Sequence, residues 1–218
     1  MAYVHTYEDV DAIAVVDSDG EHWPTRFSEG RDFYMQPAWH PGGDRLTWAE
    51  WDHPNMPWDG CELKVANVAY PEGGLPFATS AAVLAGGKDV AVFQGAFTPD
   101  GKSLLYISDE SGWGHLYRRD LATGSVTQLT TGEREFGAAA WNQGQKRFAL
   151  TASGDVIATV TEAGFDRLVT ISAAGHEEYL TPFPAGLRRG RPPGDELGQR
   201  QSGGGRQRWS SAGAGVDD

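Results

Sequence analysis

The chain has 218 residues, enough for one domain plus an extension and for a core that needs neither disulfides nor a structural metal. Its 18 Lys and Arg against 30 Asp and Glu give a formal charge of −12, which argues against nucleic acid or an anionic membrane surface as the main partner. A single cysteine, Cys61, excludes an intramolecular disulfide framework and a cysteine-based zinc cluster, while eight Trp, seven Tyr, nine Phe and 29 Gly suit a β-rich protein with many turns.

Residues Met1 to Asp9 are neither basic nor followed by a long apolar run, so no signal peptide is expected. No stretch approaches the roughly 18 apolar residues of a membrane-spanning helix, and the expected location is cytoplasmic. Ile13-Ala14-Val15-Val16-Asp17-Ser18-Asp19-Gly20 reads as a strand and turn of an incomplete first sheet. Trp39-His40-Pro41-Gly42-Gly43-Asp44-Arg45-Leu46-Thr47-Trp48 then begins a pattern that recurs: an aromatic, a turn, a basic residue and an apolar strand.

The clearest copy runs from Phe97 through Thr98-Pro99-Asp100-Gly101-Lys102-Ser103 to Leu104-Leu105-Tyr106-Ile107. Pro99 presets the first central φ of the turn, the Asp100 side chain can bond nearby backbone, and Gly101 supplies the positive φ that closes the hairpin. Leu104 to Ile107, continuously apolar, predicts a strand covered on both faces. Ser111-Gly112-Trp113-Gly114 and Leu121-Ala122-Thr123-Gly124 separate it from His115-Leu116-Tyr117-Arg118-Arg119 and Val126-Thr127-Gln128-Leu129. Four antiparallel strands in about 40 residues make one β-propeller blade. A third copy is read at Trp141-Asn142-Gln143-Gly144-Gln145-Lys146-Arg147-Phe148-Ala149-Leu150, and no window carries helical periodicity.

The expectation is an all-β fold: a partial, open β-propeller of about three to four four-stranded antiparallel blades, TolB-like or WD-repeat-like, over residues 1–186. Residues 187–218 hold six Arg and four acidic residues and little that is apolar. They read as a disordered Gly/Arg-rich tail.

Asp32-Phe33-Tyr34-Met35-Gln36-Pro37-Ala38-Trp39, Leu46 to Gly60 and Ser108-Asp109-Glu110-Ser111-Gly112-Trp113-Gly114-His115-Leu116-Tyr117 resemble the propeller of bacterial prolyl oligopeptidase family serine peptidases of the dipeptidyl aminopeptidase or acylaminoacyl peptidase kind. The specific part is Asp52-His53-Pro54-Asn55-Met56-Pro57-Trp58-Asp59-Gly60. The resemblance covers roughly residues 10–185 and implies a seven- or eight-bladed propeller with an α/β-hydrolase domain carrying a Ser-Asp-His triad. No G-x-S-x-G occurs; Gly101-Lys102-Ser103-Leu104-Leu105 comes nearest and lacks the final Gly. No catalytic residue carries over, and this chain alone is expected to be inactive. Gly42-Gly43-Asp44 and Asn142-Gln143-Gly144 replace Pro-Asp-Gly at two turns, and Cys61 stands where a hydroxyl residue is more usual. The tail does not resemble the family, which makes a truncated or frame-shifted product the expectation.

The resemblance places Trp48 to Gly60 near a peptidase chamber. There Glu50, Asp52 or Asp59 would face the amino terminus of a peptide, with His53 beside them and Trp58 against an apolar side chain. The competing reading is structural: Trp48 and Trp51 pack between blades, and the carboxylates cap backbone amides in turns. One His among scattered carboxylates lacks metal-ligand spacing, so neither metal nor cofactor is expected. Asp109-Glu110 and Glu177-Glu178 read as solvated turns. Two functions remain open: the non-catalytic substrate-gating portion of such a peptidase, meeting short peptides together with a hydrolase domain, or a stand-alone TolB-like propeller that binds another protein. Open blade faces, illustrated by Val15, Phe148 and Leu168, are expected to favour self-association.

Overall fold

The computed structural model describes residues 1–180, which hold fifteen strands and no helix. Four antiparallel sheets follow one another along the chain. The first has three strands, β1 (Ala2–Tyr7), β2 (Val10–Val15) and β3 (Thr25–Ser28). The second contains β4 (Phe33–Trp39), β5 (Arg45–Trp51), β6 (Glu62–Ala69) and β7 (Phe77–Gly86). The third contains β8 (Val92–Phe97), β9 (Ser103–Ser108), β10 (His115–Asp120) and β11 (Val126–Gln128), and the fourth β12 (Phe148–Leu150), β13 (Val156–Glu162), β14 (Phe165–Ile171) and β15 (Glu177–Tyr179). Each sheet is a simple meander. Three four-stranded blades and a fragment form an open, partial propeller.

Turn chemistry sets the repeat. Thr98 donates its N–H to the Ser103 carbonyl at 2.9 Å, and the Gly101 N–H reaches the Thr98 carbonyl at 2.9 Å. Gly101 takes φ +69°, as the hairpin requires of it. His40 repeats the pair with Arg45 at 2.9 Å and Gly43 at 2.8 Å. The third copy corrects the sequence reading. It is Thr151, bonded to Asp155 at 2.9 Å and Gly154 at 3.0 Å, not the turn expected at Asn142-Gln143-Gly144. Phe148–Leu150 is therefore the first strand of its sheet, and Trp141 lies in the connection that leads to it.

The sheets stack face on face. Ile13, Val15 and Phe27 from the first pack with Tyr34, Leu46 and Trp48 from the second, and the Phe27 ring stands edge-on to Trp48 at 6.0 Å. A second cluster runs from Met35, Trp51 and Leu63 through Val92, Phe93 and Leu104 to Phe148, Val156 and Val169. Leu104, Leu105, Tyr106 and Ile107 are all buried, as expected for a strand covered on both faces. Each such side chain contributes about 1.5–3 kcal/mol relative to exposure.

Two residues chosen to illustrate open faces are enclosed. Val15 and Phe148 are buried between sheets, because β-strand alternation turns them toward the neighbouring blade. Leu168 is half-buried on the uncovered side. The boundary expected at residue 186 and the tail from 187 lie outside the described residues.

β4 and β8 are the innermost strands of their sheets, and each carries a register shift, between Met35 and Ala38 and between Phe93 and Ala96. At these bulges Gln36 and Gln94 adopt φ +55° and +56°. Their side chains join one sheet to the next beside a cavity of about 690 Å³, lined by Gln36, Gln94, Gln143, Gln145 and Lys146 among others.

Candidate functional site

In a meander the loops alternate between two rims. His40 and Gly101 meet at one rim, the His40 Nε2 lying 2.8 Å from the Gly101 carbonyl oxygen. The opposite rim gathers the loops after the second strands, 52–61 and 109–114, with the connections between sheets. There Asn55 Nδ2 donates to the Lys88 carbonyl at 2.7 Å. Gly60 permits this closure, since a Cβ on it would collide with that same carbonyl.

Of the five residues singled out in the sequence, Asp52, His53, Trp58 and Asp59 sit together on the 52–61 loop. Glu50 does not. At 0% exposure it points inward from β5, where Oε2 accepts the Trp48 indole N–H at 2.6 Å and Oε1 lies 2.6 Å from Lys64 Nζ. Arg31 stands beside it at 3.7 Å and also pairs with Asp52 at 3.2 Å and Glu62 at 3.5 Å. Both oxygens of this enclosed carboxylate are thus paired, with neighbours on β5 and β6.

The two aspartates cap backbone. Asp52 Oδ1 accepts the Asp32 N–H at 3.0 Å, and Asp32 Oδ2 accepts the His53 N–H at 2.9 Å, a reciprocal tie between adjoining loops. Asp59 Oδ2 accepts the Met56 N–H at 2.9 Å across a turn closed by the Asp59 N–H to the Met56 carbonyl. These contacts are those of the capping reading. The His53 residue is exposed. Trp58 is half-buried and packs against Trp141, ring centroids 4.3 Å apart.

Trp58 overlies a narrow cleft of about 50 Å³, whose floor brings together Asp109, Glu135, Ile107 and Ala138–Ala140. Two carboxylates meet apolar wall here. Burial pushes the Asp109 carboxyl above the usual range, against the Ala91 N–H bond of 2.8 Å that favours its charge. Burial likewise raises Glu135, opposed by the N–H groups of Gly114 at 3.1 Å and Gly137 at 2.6 Å. Raised carboxyls in a cleft can hold a proton or meet a cationic group. Asp109 thus departs from the solvated-turn reading, whereas Glu110 is exposed as expected. Glu177 departs too, because Arg134 grips it through both nitrogens at 2.7 and 2.8 Å.

Sequence reasoning missed Glu135 and Trp141. Glu135 in Gly132-Glu133-Arg134-Glu135-Phe136 resembles a residue of any solvated loop, and its enclosure involves Gly114, 21 residues earlier. Among the described residues no group of three or more His, Cys, Asp or Glu could hold a metal ion.

No protein-family model matches the chain, and no curated protein sequence matches it. Solved structures do. A puromycin hydrolase superposes with TM-score 0.71 and 33% identity over 79% of this chain and 26% of its own. A puromycin-hydrolyzing peptidase of Mycobacterium tuberculosis gives 0.72 and 30% over 81% and 27%. A TolB-like protein of Agrobacterium tumefaciens gives 0.53 and 16% over 83% and 60%, a likeness of fold alone. The chain spans about a quarter of the length of the two hydrolases.

Proposed function

This chain belongs with the propeller portions of prolyl oligopeptidase family peptidases, and we propose that it is the non-catalytic, substrate-gating part of such an enzyme. The observation that carries the reading is the 33% identity to a puromycin hydrolase sustained over 79% of this chain, well above what shared blade geometry alone demands. Peptide hydrolysis is then the property of an assembly that includes a hydrolase domain. This chain supplies the cap through which short peptides pass.

Two features support that role. The rim of loops 52–61 and 109–114 pairs an aromatic surface, Trp58 with Trp141, with the carboxylates Asp109 and Glu135, a combination suited to the apolar side chains and free ammonium group of a short peptide. The cavity beside Gln36 and Gln94 sets glutamine amides and Lys146 against the apolar side chains of Val4, Phe148 and Leu150, a mixed wall that suits both the backbone and the side chains of a peptide.

The test is binding of di- to tetrapeptides with free amino termini to the purified chain, followed by tryptophan fluorescence. A saturable change that weakens in Trp58→Phe and with amino-acetylated peptides is expected, with no hydrolysis of the peptides. Failure of every peptide to bind, or loss of nothing in the variant, would overturn the gating role.

A further inference from the structure

The innermost strand of the fourth sheet is interrupted where its counterparts run through. β4 pairs with β5 from Phe33 to Trp39, and β8 pairs with β9 from Val92 to Phe97. β12 pairs with β13 only over Phe148–Leu150, and just beyond it the Thr159 N–H donates to the Arg147 carbonyl at 2.8 Å. Further along β13, Thr161 meets Glu135 instead, through bonds of 2.7 and 3.0 Å. Residues 136–146 therefore leave the sheet between two points that one continuous strand would join.

This excursion reaches both cavities. Its first half walls the rim cleft with Ala138–Ala140, and Trp141 packs on Trp58. Its second half, from Gln143 to Lys146, lines the cavity of about 690 Å³ beside β4 and β8. β4 is the edge strand of the second sheet, so its inner side has no neighbouring strand among the described residues. Gln143 fills that place. Its Nε2 donates to the Tyr34 carbonyl at 2.9 Å, and its Oε1 accepts the Gln36 N–H at 3.3 Å. One side-chain amide thus engages a carbonyl and an N–H of the kind that an added peptide strand would use. Gln36 answers, its Nε2 donating to the Gln145 carbonyl at 3.0 Å.

The fit of the excursion is incomplete. Gln143 stays exposed while making these bonds, and its bond to Gln36 is longer than most N–H···O contacts. Gln145 Oε1 is buried and has no hydrogen-bond partner among the described residues. An orphaned acceptor is a standing cost of the docked arrangement. It weakens the hold of the excursion on β4 against a competitor.

We propose that the inner edge of β4 at Tyr34 and Gln36 is a binding site for the backbone of a short peptide, occupied by the Gln143 carboxamide until the peptide displaces it. The ligand is recognised by an N–H for the Tyr34 carbonyl and a C=O for the Gln36 N–H. Pro37 follows with no N–H of its own, so the added pairing stops there and the register is short. The volume of the cavity falls in the range of about 300–1,000 Å³ usual for small-molecule sites, and Val4, Phe148 and Leu150 offer apolar wall to the side chains. The choice of ligand rests on the reading that short peptides meet this chain. The site is nevertheless separate from the rim and requires no free amino terminus.

The test is calorimetric titration of the full chain with N-acetyl-trialanine amide, whose blocked amino terminus removes the ammonium group assigned to the rim. Wild type should bind it weakly. Gln143→Ala, with an unchanged near-ultraviolet circular dichroism spectrum, should bind it about tenfold more tightly, because the competing amide is gone. Gln143→Glu, which lacks the donor to Tyr34, should also bind it more tightly than wild type. The same peptide methylated at its amide nitrogens should bind none of the three proteins. Equal affinity in wild type and Gln143→Ala, no binding to any of them, or undiminished binding of the methylated peptide would each overturn the proposal. Tight binding of the blocked peptide to Gln143→Ala would uphold this site even where peptides with free amino termini fail at the rim, so the two readings fail separately.

Discussion

Gln36 and Gln94 occupy the same place in successive blades, four residues before the turn positions His40 and Thr98, and the first clasps the second: the Gln36 Oε1 accepts the Gln94 backbone N–H at 2.8 Å. Gln94 repeats the act one blade further on. Its Oε1 accepts the N–H groups of Arg147 at 2.6 Å and Phe148 at 3.2 Å, and its Nε2 donates to the Phe148 carbonyl at 2.6 Å. The left-handed backbone at both glutamines aims the amide across the gap between sheets. A costly local conformation thus secures contacts that no regular strand would make.

Gln94→Ala should destabilise the fold by about 2–4 kcal/mol, since three buried backbone groups lose partners at once. Gln94→Gly, which accepts φ +56° without steric conflict, should recover about 1 kcal/mol of that loss. Urea unfolding of both variants decides the point. Equal losses would mean that the bulge carries no strain.

Glu50 makes a second prediction. Removing one member of an enclosed ion pair leaves the rest uncompensated, so Glu50→Ala should cost about 3–5 kcal/mol. Glu50→Gln, which keeps an acceptor for the Trp48 indole, should cost less. If alanine loses under about 1 kcal/mol in the same unfolding assay, Lys64 and Arg31 find equal partners in water and the network adds nothing net.

How far the sequence could be read depends on whether the deciding contact was local. Pro99-Asp100-Gly101 and the apolar run after it identified their hairpin because turn chemistry acts within four residues. The last blade was misplaced for the same reason. Asn142-Gln143-Gly144 and Ala152-Ser153-Gly154-Asp155 are equally turn-like in composition, and only the bond from Thr151 to Asp155 selects the second. Spacing offered one unused signal, the Gln four residues before each of two turns. The inward aim of Glu50 was also legible in principle, since it alternates with Trp51 and shares a face with Trp48. The burial of Asp109 and Glu135 was not, because it arises where loops distant in sequence converge.

Cys61 provides a probe of opening. Burial pushes its thiol up to about 12, and Sγ lies 3.1 Å from the Val92 carbonyl it donates to and 3.3 Å from the Val92 N–H it accepts. The thiolate is the reactive form. Alkylation at pH 8 should therefore be absent in the native chain and should appear with the unfolding transition. Prompt labelling under native conditions would show that the interface between β6 and β8 opens locally. Cys61→Ala should cost about 1–3 kcal/mol through the Val92 groups it leaves unpaired.

His22 ties the first sheet to the second, its Nδ1 lying 2.8 Å from Asp17 Oδ2 and its Nε2 3.1 Å from the Gly73 carbonyl. The Asp17 bond raises the His22 pKa above its ordinary value, and the same bond holds Asp17 below the usual carboxylate range. The signs follow. A histidine raised in the folded state stabilises fully below its unfolded pKa near 6.5 and loses that contribution as pH rises through the folded value. The lowered aspartate contributes above about 3.9 and loses its share as pH falls through its own folded value. The tie is therefore complete between the two unfolded values and slackens as pH rises through the folded value of His22. Both groups are exposed enough for salt to screen the attraction. Nuclear magnetic resonance titration of the His22 ring should give a midpoint above the ordinary histidine value in the wild type and a lower one in Asp17→Asn. A midpoint unchanged by that substitution would mean that the Gly73 carbonyl alone holds the proton.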